Sequence, residues 1–153
     1  MENFDEMSLG DAALCYAELG YPVFPLRPRD KRPITEHGVK DASSDPKEIR
    51  AWWQRWPDAN IGLACDGLIV VDIDPRNGGP ADRSDFIEQF GPIPETAEAI
   101  TGGGGRHILF RYAGGPVPKQ LAEGIDLKAG EGAYIVVAPS IHPTGGRYSW
   151  DQA

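Results

Sequence analysis

The chain has 153 residues, a formal net charge of −8, and 41% hydrophobic and 25% charged residues. This length suits one compact domain and is short for two, so we expect residues 1–153 to form a single domain. The acidic start lacks the basic and apolar regions of a signal peptide, and no apolar run approaches the roughly 20 residues that span a bilayer. We therefore expect a cytoplasmic protein without a membrane partner.

The acidic charge is unevenly distributed along the chain. Residues 60–100 carry eight acids and two bases, a net charge of −6, whereas residues 101–153 carry five bases and four acids, a net charge of +1. An acidic centre beside a mildly basic segment suits phosphates that are carried by metal ions. The overall negative charge argues against tight binding of duplex nucleic acid by the isolated domain.

The first third of the chain predicts two helices and a short strand. Apolar residues at helical spacing predict a helix over Leu9–Leu19 with Ser8 as its cap. The strand predicted at Tyr21–Leu26 contains prolines, which places it at the edge of a sheet. Asp45-Pro46-Lys47-Glu48 has the cap, first-turn proline and glutamate of a second helix, which ends near Trp56. Its apolar stripe is typical of a core-facing helix rather than of a base-stacking platform: Ile49, Trp52, Trp53 and Trp56.

The middle and end of the chain alternate strands with glycine turns. Strands at Ile61–Ala64 and Leu68–Asp74 are predicted to pair as a hairpin through the turn Cys65-Asp66-Gly67. A helix is predicted over Ser84–Phe90. Five further strands are predicted: Thr96–Ile100, Arg106–Tyr112, Gly124–Lys128, Tyr134–Ala138 and Arg147–Trp150. Early helices and late strands indicate an α+β domain with a largely antiparallel central sheet. Because the last strand runs almost to Ala153, we expect the chain to be part of a longer protein.

The strand that ends in Asp72-Ile73-Asp74 carries the most informative motif. Side chains alternate across a strand, so Asp72 and Asp74 share one face. Adjacent carboxylates repel unless a cation compensates their charge, and Mg²⁺ or Mn²⁺ prefers such oxygen ligands. The alternative interpretation is a solvated strand end with two exposed aspartates.

Two further segments carry candidate site residues. The glycine run of residues 102–105 precedes Arg106 and His107, and such a run lets backbone N–H groups approach an anion. It lacks the Gly-Lys-Ser/Thr of a P-loop, and it opens a strand rather than the helix of a dinucleotide fingerprint. Asp126 and Lys128 share a strand face, so they could supply a third metal ligand and a cation for a triphosphate. A flexible hairpin and a surface ion pair are the respective alternatives.

The order of these motifs resembles one family. Asp72-x-Asp74, Gly105-Arg-His107 and Ile125-Asp126 look like motifs I, II and III of the archaeo-eukaryotic primase superfamily. Six other segments narrow the resemblance to the bifunctional primase-polymerase (Prim-Pol) family of plasmid, phage and other mobile-element replication proteins: Gly20-Tyr-Pro-Val-Phe-Pro-Leu26, Lys31-Arg-Pro33, Trp52-Trp53, Asn60-Ile-Gly-Leu63, Tyr134-Ile-Val-Val-Ala-Pro-Ser140 and Gly145-Gly-Arg-Tyr148. The resemblance covers roughly residues 11–150. One position departs from it, since Gly105 stands where the family has serine, and its N–H would have to replace the hydroxyl.

The resemblance implies a primase catalytic core with an RRM-like palm and template-directed nucleotidyl transfer by a two-metal mechanism. It assigns two Mg²⁺ or Mn²⁺ ions to Asp72, Asp74 and Asp126, with His107 as a further catalytic residue. It assigns five residues to the nucleotide: Arg106, His107, Lys128, Ser140 and Lys31. For Lys31 a contact with the template and a place in a solvated loop are the alternatives. No zinc site is expected, because Cys15 and Cys65 are isolated.

The same resemblance implies the partners. They are a DNA template and primer, (deoxy)nucleoside triphosphates, and a helicase domain in the parent polypeptide, with the isolated domain expected to be monomeric. Two other functions remain open at this point. A metal-dependent phosphodiesterase or nuclease could use the same three aspartates, and an inactive module could bind single strands through aromatic side chains on a sheet.

Overall fold

The structure is a computed structural model that describes residues 3–151. Within that range the chain forms three α-helices, which are α1 (Leu9–Glu18), α2 (Pro46–Arg55) and α3 (Arg83–Phe90). It also forms nine strands, which are β1 (Val23–Leu26), β2 (Asn60–Ala64), β3 (Leu68–Ile73), β4 (Glu98–Ile100), β5 (Arg106–Arg111), β6 (Gln120–Ala122), β7 (Ile125–Ala129), β8 (Tyr134–Val137) and β9 (Ser149–Asp151). None of the helices in this range is long and apolar enough to cross a bilayer.

The strands form two sheets. One has three strands in the order β1-β2-β8, and the other has six in the order β6-β7-β3-β5-β4-β9. All neighbouring strands in both sheets are antiparallel. The α+β class with largely antiparallel pairing is therefore confirmed, as is the edge position of the proline-containing strand β1.

The prediction that β2 and β3 pair as a hairpin is wrong. A tight turn does form, with the N–H of Leu68 donating to the carbonyl of Cys65, but the two strands enter different sheets. Strand β2 pairs with β1 on one edge and with β8 on the other. Strand β3 pairs with β5 on one edge and with β7 on the other. The turn thus carries the chain from one sheet to the other. Strand β6, an edge strand with an irregular register to β7, was not predicted.

The helix starts follow the predicted caps. The Ser8 hydroxyl accepts from the N–H of Asp11, and the Asp45 carboxylate accepts from that of Lys47, so each satisfies an otherwise free donor of the first turn. The apolar stripe of α2 packs into the core as predicted, with Ile49 and Trp53 buried and the other two tryptophans partly buried.

Apolar side chains cover both faces of the six-stranded sheet. On one face, Leu68, Val70 and Leu109 join the main core, which also takes side chains from α1, α2 and the smaller sheet. On the other face, Ile73 and Ile108 pack with a smaller cluster under α3. Successive residues along β3 and β5 therefore face different sides of the sheet and different environments. Within residues 3–151, Cys15 and Cys65 form no disulfide; Cys65 is buried and Cys15 is partly buried.

Candidate active site

A polar cavity of about 360 Å³ is lined by strands of both sheets. Strands β3, β5, β7 and β8 contribute side chains to it, as do the loops before α2, before β5 and after β8. The polar and aromatic side chains that line it are Lys31, Asp72, Asp74, Arg76, Thr101, His107, Lys128, Tyr134, His142 and Tyr148.

Asp72 lies opposite two predicted site residues of the neighbouring strands. In the sheet register its partners are His107 on β5 and Asp126 on β7. One oxygen, Oδ1, lies 3.4 Å from His107 Nε2, and Oδ2 lies 3.8 Å from Lys128 Nζ. Burial raises the pKa of Asp72, but the contact with His107 and the charges of Lys128 and Lys31 outweigh it, so that this pKa is lowered below its ordinary value. Side chains of the protein thus stabilise the carboxylate.

Asp74 is held at the end of the strand by a local cap. Its Oδ1 accepts from the N–H of Arg76 at 3.0 Å, its Oδ2 accepts from Asn77 Nδ2 at 2.7 Å, and the Arg76 Nε lies 3.7 Å from Oδ1. These bonds begin a short 3₁₀ turn over Pro75–Asn77. The side chain therefore has a fixed orientation beside the cavity.

Asp126 is on the same sheet face as Asp72 but is exposed and does not line the cavity. Directly opposed residues of antiparallel strands have Cβ atoms roughly 5 Å apart, so the side chains of Asp72 and Asp126 start from neighbouring positions on this face. Within residues 3–151, no three acidic, histidine or cysteine side chains already form a metal-ligand cluster. The chemistry of the donors, all carboxylate oxygens, nevertheless suits Mg²⁺ or Mn²⁺.

His107 faces the cavity and is 5% exposed. Its Nε2 points to Asp72, whereas its buried Nδ1 has no hydrogen-bond partner among the residues that the structure describes. A buried ring nitrogen without a partner is uncommon, and it often marks a functional position. Lys31 and Lys128 also line the cavity, so three of the five residues predicted for the nucleotide come together.

Two predicted nucleotide-binding residues are not brought to the cavity. Arg106 lies on the opposite face of β5, where its Nη1 is 3.1 Å from Glu98 Oε1 and 2.9 Å from Asp151 Oδ2. Ser140 is fully buried, and its hydroxyl oxygen accepts from the N–H of Ile61 at 2.8 Å. Both side chains are therefore engaged in contacts within the fold.

The structure explains the glycine at position 105. A Cβ at this position would overlap the carbonyl oxygen of Ile73, so a serine would require one of the strands to move. The N–H of Gly105 donates to Thr101 Oγ1 at 2.8 Å. This amide is therefore already bonded to a side chain of the same loop.

The glycine run also brings two loops together. A Cβ on Gly102 would overlap Gly146 and His142, and one on Gly103 would crowd the side chains of Arg76 and His142. The loop of residues 140–147 is itself closed by a bond from the N–H of His142 to the carbonyl of Gly146 at 2.7 Å. The glycines thus allow close packing between backbones at the cavity wall.

Several cavity residues were not assigned a role from the sequence. These are Arg76, Thr101, Tyr134, His142 and Tyr148. Burial and the charges of Arg76 and Lys31 lower the pKa of His142, against the opposing charge of Asp74. Burial and the charge of Asp72 raise the pKa of Tyr148 to about 12, against the opposing charge of Arg76. Tyr134 and Tyr148 occur in segments that carried the resemblance, which was the signal available for them.

Fold and site together define an α+β domain of the kind expected for a primase core, with carboxylates and cationic side chains in one cavity. A family model described as "Bifunctional DNA primase/polymerase, N-terminal" matches residues 13–153. The chain therefore belongs to this family, whose activity is nucleotidyl transfer of the DNA primase/polymerase type. A search among curated proteins found no match to the chain.

Proposed function

We propose that this chain catalyses template-directed nucleotidyl transfer and that the polar cavity is where a nucleoside triphosphate meets the primer end. The observation that supports this proposal is the composition of the cavity. Asp72 and Asp74 lie beside Lys31, Arg76 and Lys128, so ligands for cations and ligands for phosphates share one space. A DNA template, a primer and (deoxy)nucleoside triphosphates are then the substrates.

Asp72, Asp74 and Asp126 are the residues that would hold two divalent ions, Mg²⁺ or Mn²⁺. Such ions, when bound, lower the pKa of a primer 3′-hydroxyl and stabilise the departing pyrophosphate. The protein's own contribution is to keep the carboxylates ionised and oriented. The lowered pKa of Asp72 and the cap geometry of Asp74 serve this purpose.

The cationic side chains bind the triphosphate in this proposal. Lys31, Arg76 and Lys128 approach the cavity from a loop, a turn and a strand, and their side chains can donate to phosphate oxygens. These donors act where negative charge develops during transfer, so their loss lowers turnover as well as affinity. His107 lies on the strand beside Asp72, with its Nε2 3.4 Å from Asp72 Oδ1, and its burial restricts the orientation of its ring.

The deciding experiment is incubation of the chain with a labelled primer–template, with and without deoxynucleotides, and with Mg²⁺, Mn²⁺ or chelator. We expect elongation that requires both nucleotide and metal. Shortening of the primer would instead support a phosphodiesterase, and binding without any metal-dependent change would support an inactive single-strand-binding module. A parallel reaction without primer separates initiation from extension.

A further inference from the structure

Asn60 links two loops of the cavity through its buried side chain. It is the first residue of β2 and is 2% exposed. Its Nδ2 donates to the carbonyl of Asp30 at 3.0 Å and to that of Ile141 at 2.7 Å, and its Oδ1 accepts from the N–H of Ile141 at 2.9 Å. Both hydrogens of the amide and its oxygen therefore have backbone partners.

The two linked segments both line the cavity. The basic loop, residues 27–33, contributes Lys31, and the histidine loop, residues 140–148, contributes His142 and Tyr148. The segments are far apart in sequence, and Asn60 is bonded directly to both. A single amide thus joins the loop that carries one cation of the cavity to the loop that carries two of its ring side chains.

Each loop has one additional anchor from a neighbouring strand. The Tyr134 hydroxyl on β8 donates to the carbonyl of Lys31 at 2.7 Å, so it holds the backbone of that lysine. On the other loop, the N–H of Ile61 on β2 donates to Ser140 Oγ. This contact engages the Ser140 hydroxyl oxygen within the fold.

We propose that Asn60 is a positioning residue that fixes the basic loop and the histidine loop relative to each other, with Tyr134 as a second anchor of the basic loop. The inference rests on the proposed function, because it treats these loops as walls of the nucleotide site. It also accounts for the segment Asn60-Ile-Gly-Leu63, whose first residue makes the link and whose second holds Ser140.

The test compares three isosteric or nearly isosteric variants of the full chain. Asn60→Asp keeps the acceptor for the N–H of Ile141 but turns an oxygen towards two carbonyl oxygens. Tyr134→Phe removes only the hydroxyl that holds Lys31. Tyr16→Phe is the matched control, because its buried hydroxyl donates to the carbonyl of Ala138 at 2.6 Å but lines a different, largely apolar groove.

The first measurement is hydrogen exchange of backbone amides without nucleotide. We expect Asn60→Asp to accelerate exchange about tenfold in both loops, Tyr134→Phe to accelerate it in the basic loop alone, and Tyr16→Phe to change neither. The second measurement is steady-state extension. We expect the nucleotide KM to rise about tenfold for Asn60→Asp and about threefold for Tyr134→Phe, with smaller changes in kcat.

Two outcomes would overturn the inference. One is unchanged exchange in both loops of Asn60→Asp, and the other is a KM change no larger than that of Tyr16→Phe at equal loss of thermal stability. If Asn60→Asp does not fold, Tyr134→Phe is the test. Faster exchange in the basic loop and a raised nucleotide KM would support the inference, and the absence of both changes would overturn it. An inactive wild-type chain would refute the proposed function alone, since the exchange experiment still tests the link between the loops.

Discussion

The two faces of the six-stranded sheet use charged side chains in different ways. On the cavity face, Asp72 lies 3.4 Å from His107 and 3.8 Å from Lys128, which are long contacts. On the opposite face, Glu98 bonds Arg83 and Arg106 at 3.0 and 3.1 Å. Charges on the second face are engaged with one another, whereas those on the cavity face keep capacity for a ligand. Charge that stabilises the fold and charge that serves the site are thus separated by the thickness of one sheet.

The largest effect is expected from Asp72→Asn, which keeps the shape of the side chain and removes its charge. We expect the rate of extension to fall about a hundredfold or more, because a neutral amide is a poor ligand for a divalent ion. The amide also brings no negative charge to the contacts with His107 and Lys128. The measurement is single-turnover extension with Mg²⁺ or Mn²⁺, and circular dichroism checks the fold. Metal-dependent incorporation at the wild-type rate would contradict the proposed role of Asp72.

A pair of neighbouring substitutions tests the two faces directly. For His107→Ala we expect the nucleotide KM to rise about tenfold and kcat to fall by a similar factor per folded molecule, together with some loss of stability because the removed ring is buried. For Arg106→Gln we expect a loss of stability without a change in nucleotide binding, because its partners Glu98 and Asp151 lie away from the cavity. The free energy of unfolding should fall by about 1–3 kcal/mol, with an unchanged KM. A raised KM in Arg106→Gln at wild-type stability would show that this arginine reaches the nucleotide.

Restoring the family serine tests how closely the two central strands approach. Gly105→Ser places a Cβ against the carbonyl oxygen of Ile73, so we expect a loss of about 1–3 kcal/mol in the free energy of unfolding. Activity per folded molecule should not increase. Chemical denaturation and extension assays give the two values. A variant that is as stable as the wild type and binds nucleotide more tightly would show that the loop moves to present the hydroxyl.

The smallest effect concerns pH. The pKa of Asp72 is lower in the folded chain than its ordinary value of 3.8, so the unfolded chain takes up this proton first as the pH falls. The resulting stability is complete above that ordinary value and is lost as the pH falls through the folded pKa. We expect any stability advantage of the wild type over Asp72→Asn to shrink as the pH falls from 6 to 3. Denaturation curves across this range measure it, and a constant difference would contradict the shift.

Local features of the fold could be predicted from the sequence because they depend on nearby residues. The caps at Ser8 and Asp45 are of this kind. Strand partners could not be predicted, since the short turn after β2 suits a hairpin and only distant strands decide otherwise. Strand β2 pairs with β1 and β8, and strand β3 pairs with β5 and β7. A pattern of neighbouring residues does not carry information about these distant partners.

Strand alternation explains why two adjacent residues predicted for the site lie on different faces of the sheet. The alternation that turns His107 towards the cavity also turns Arg106 away from it, and grouping the two by adjacency in the motif missed this. Asn60 shows a second limit, because its role depends on Ile141, which lies 81 residues further along the chain. Burial and tertiary contacts of that range have no signal in the sequence of one segment.

The close backbone contact between Gly102 and Gly146 restricts how this cavity can diversify. A side chain at either position would push the two loops apart, so the spacing of that wall tolerates almost no substitution. Exposed positions such as Thr144 carry no such restriction. In a library of variants selected for altered nucleotide use, we expect accepted changes to accumulate at these exposed side chains, while both glycines are retained.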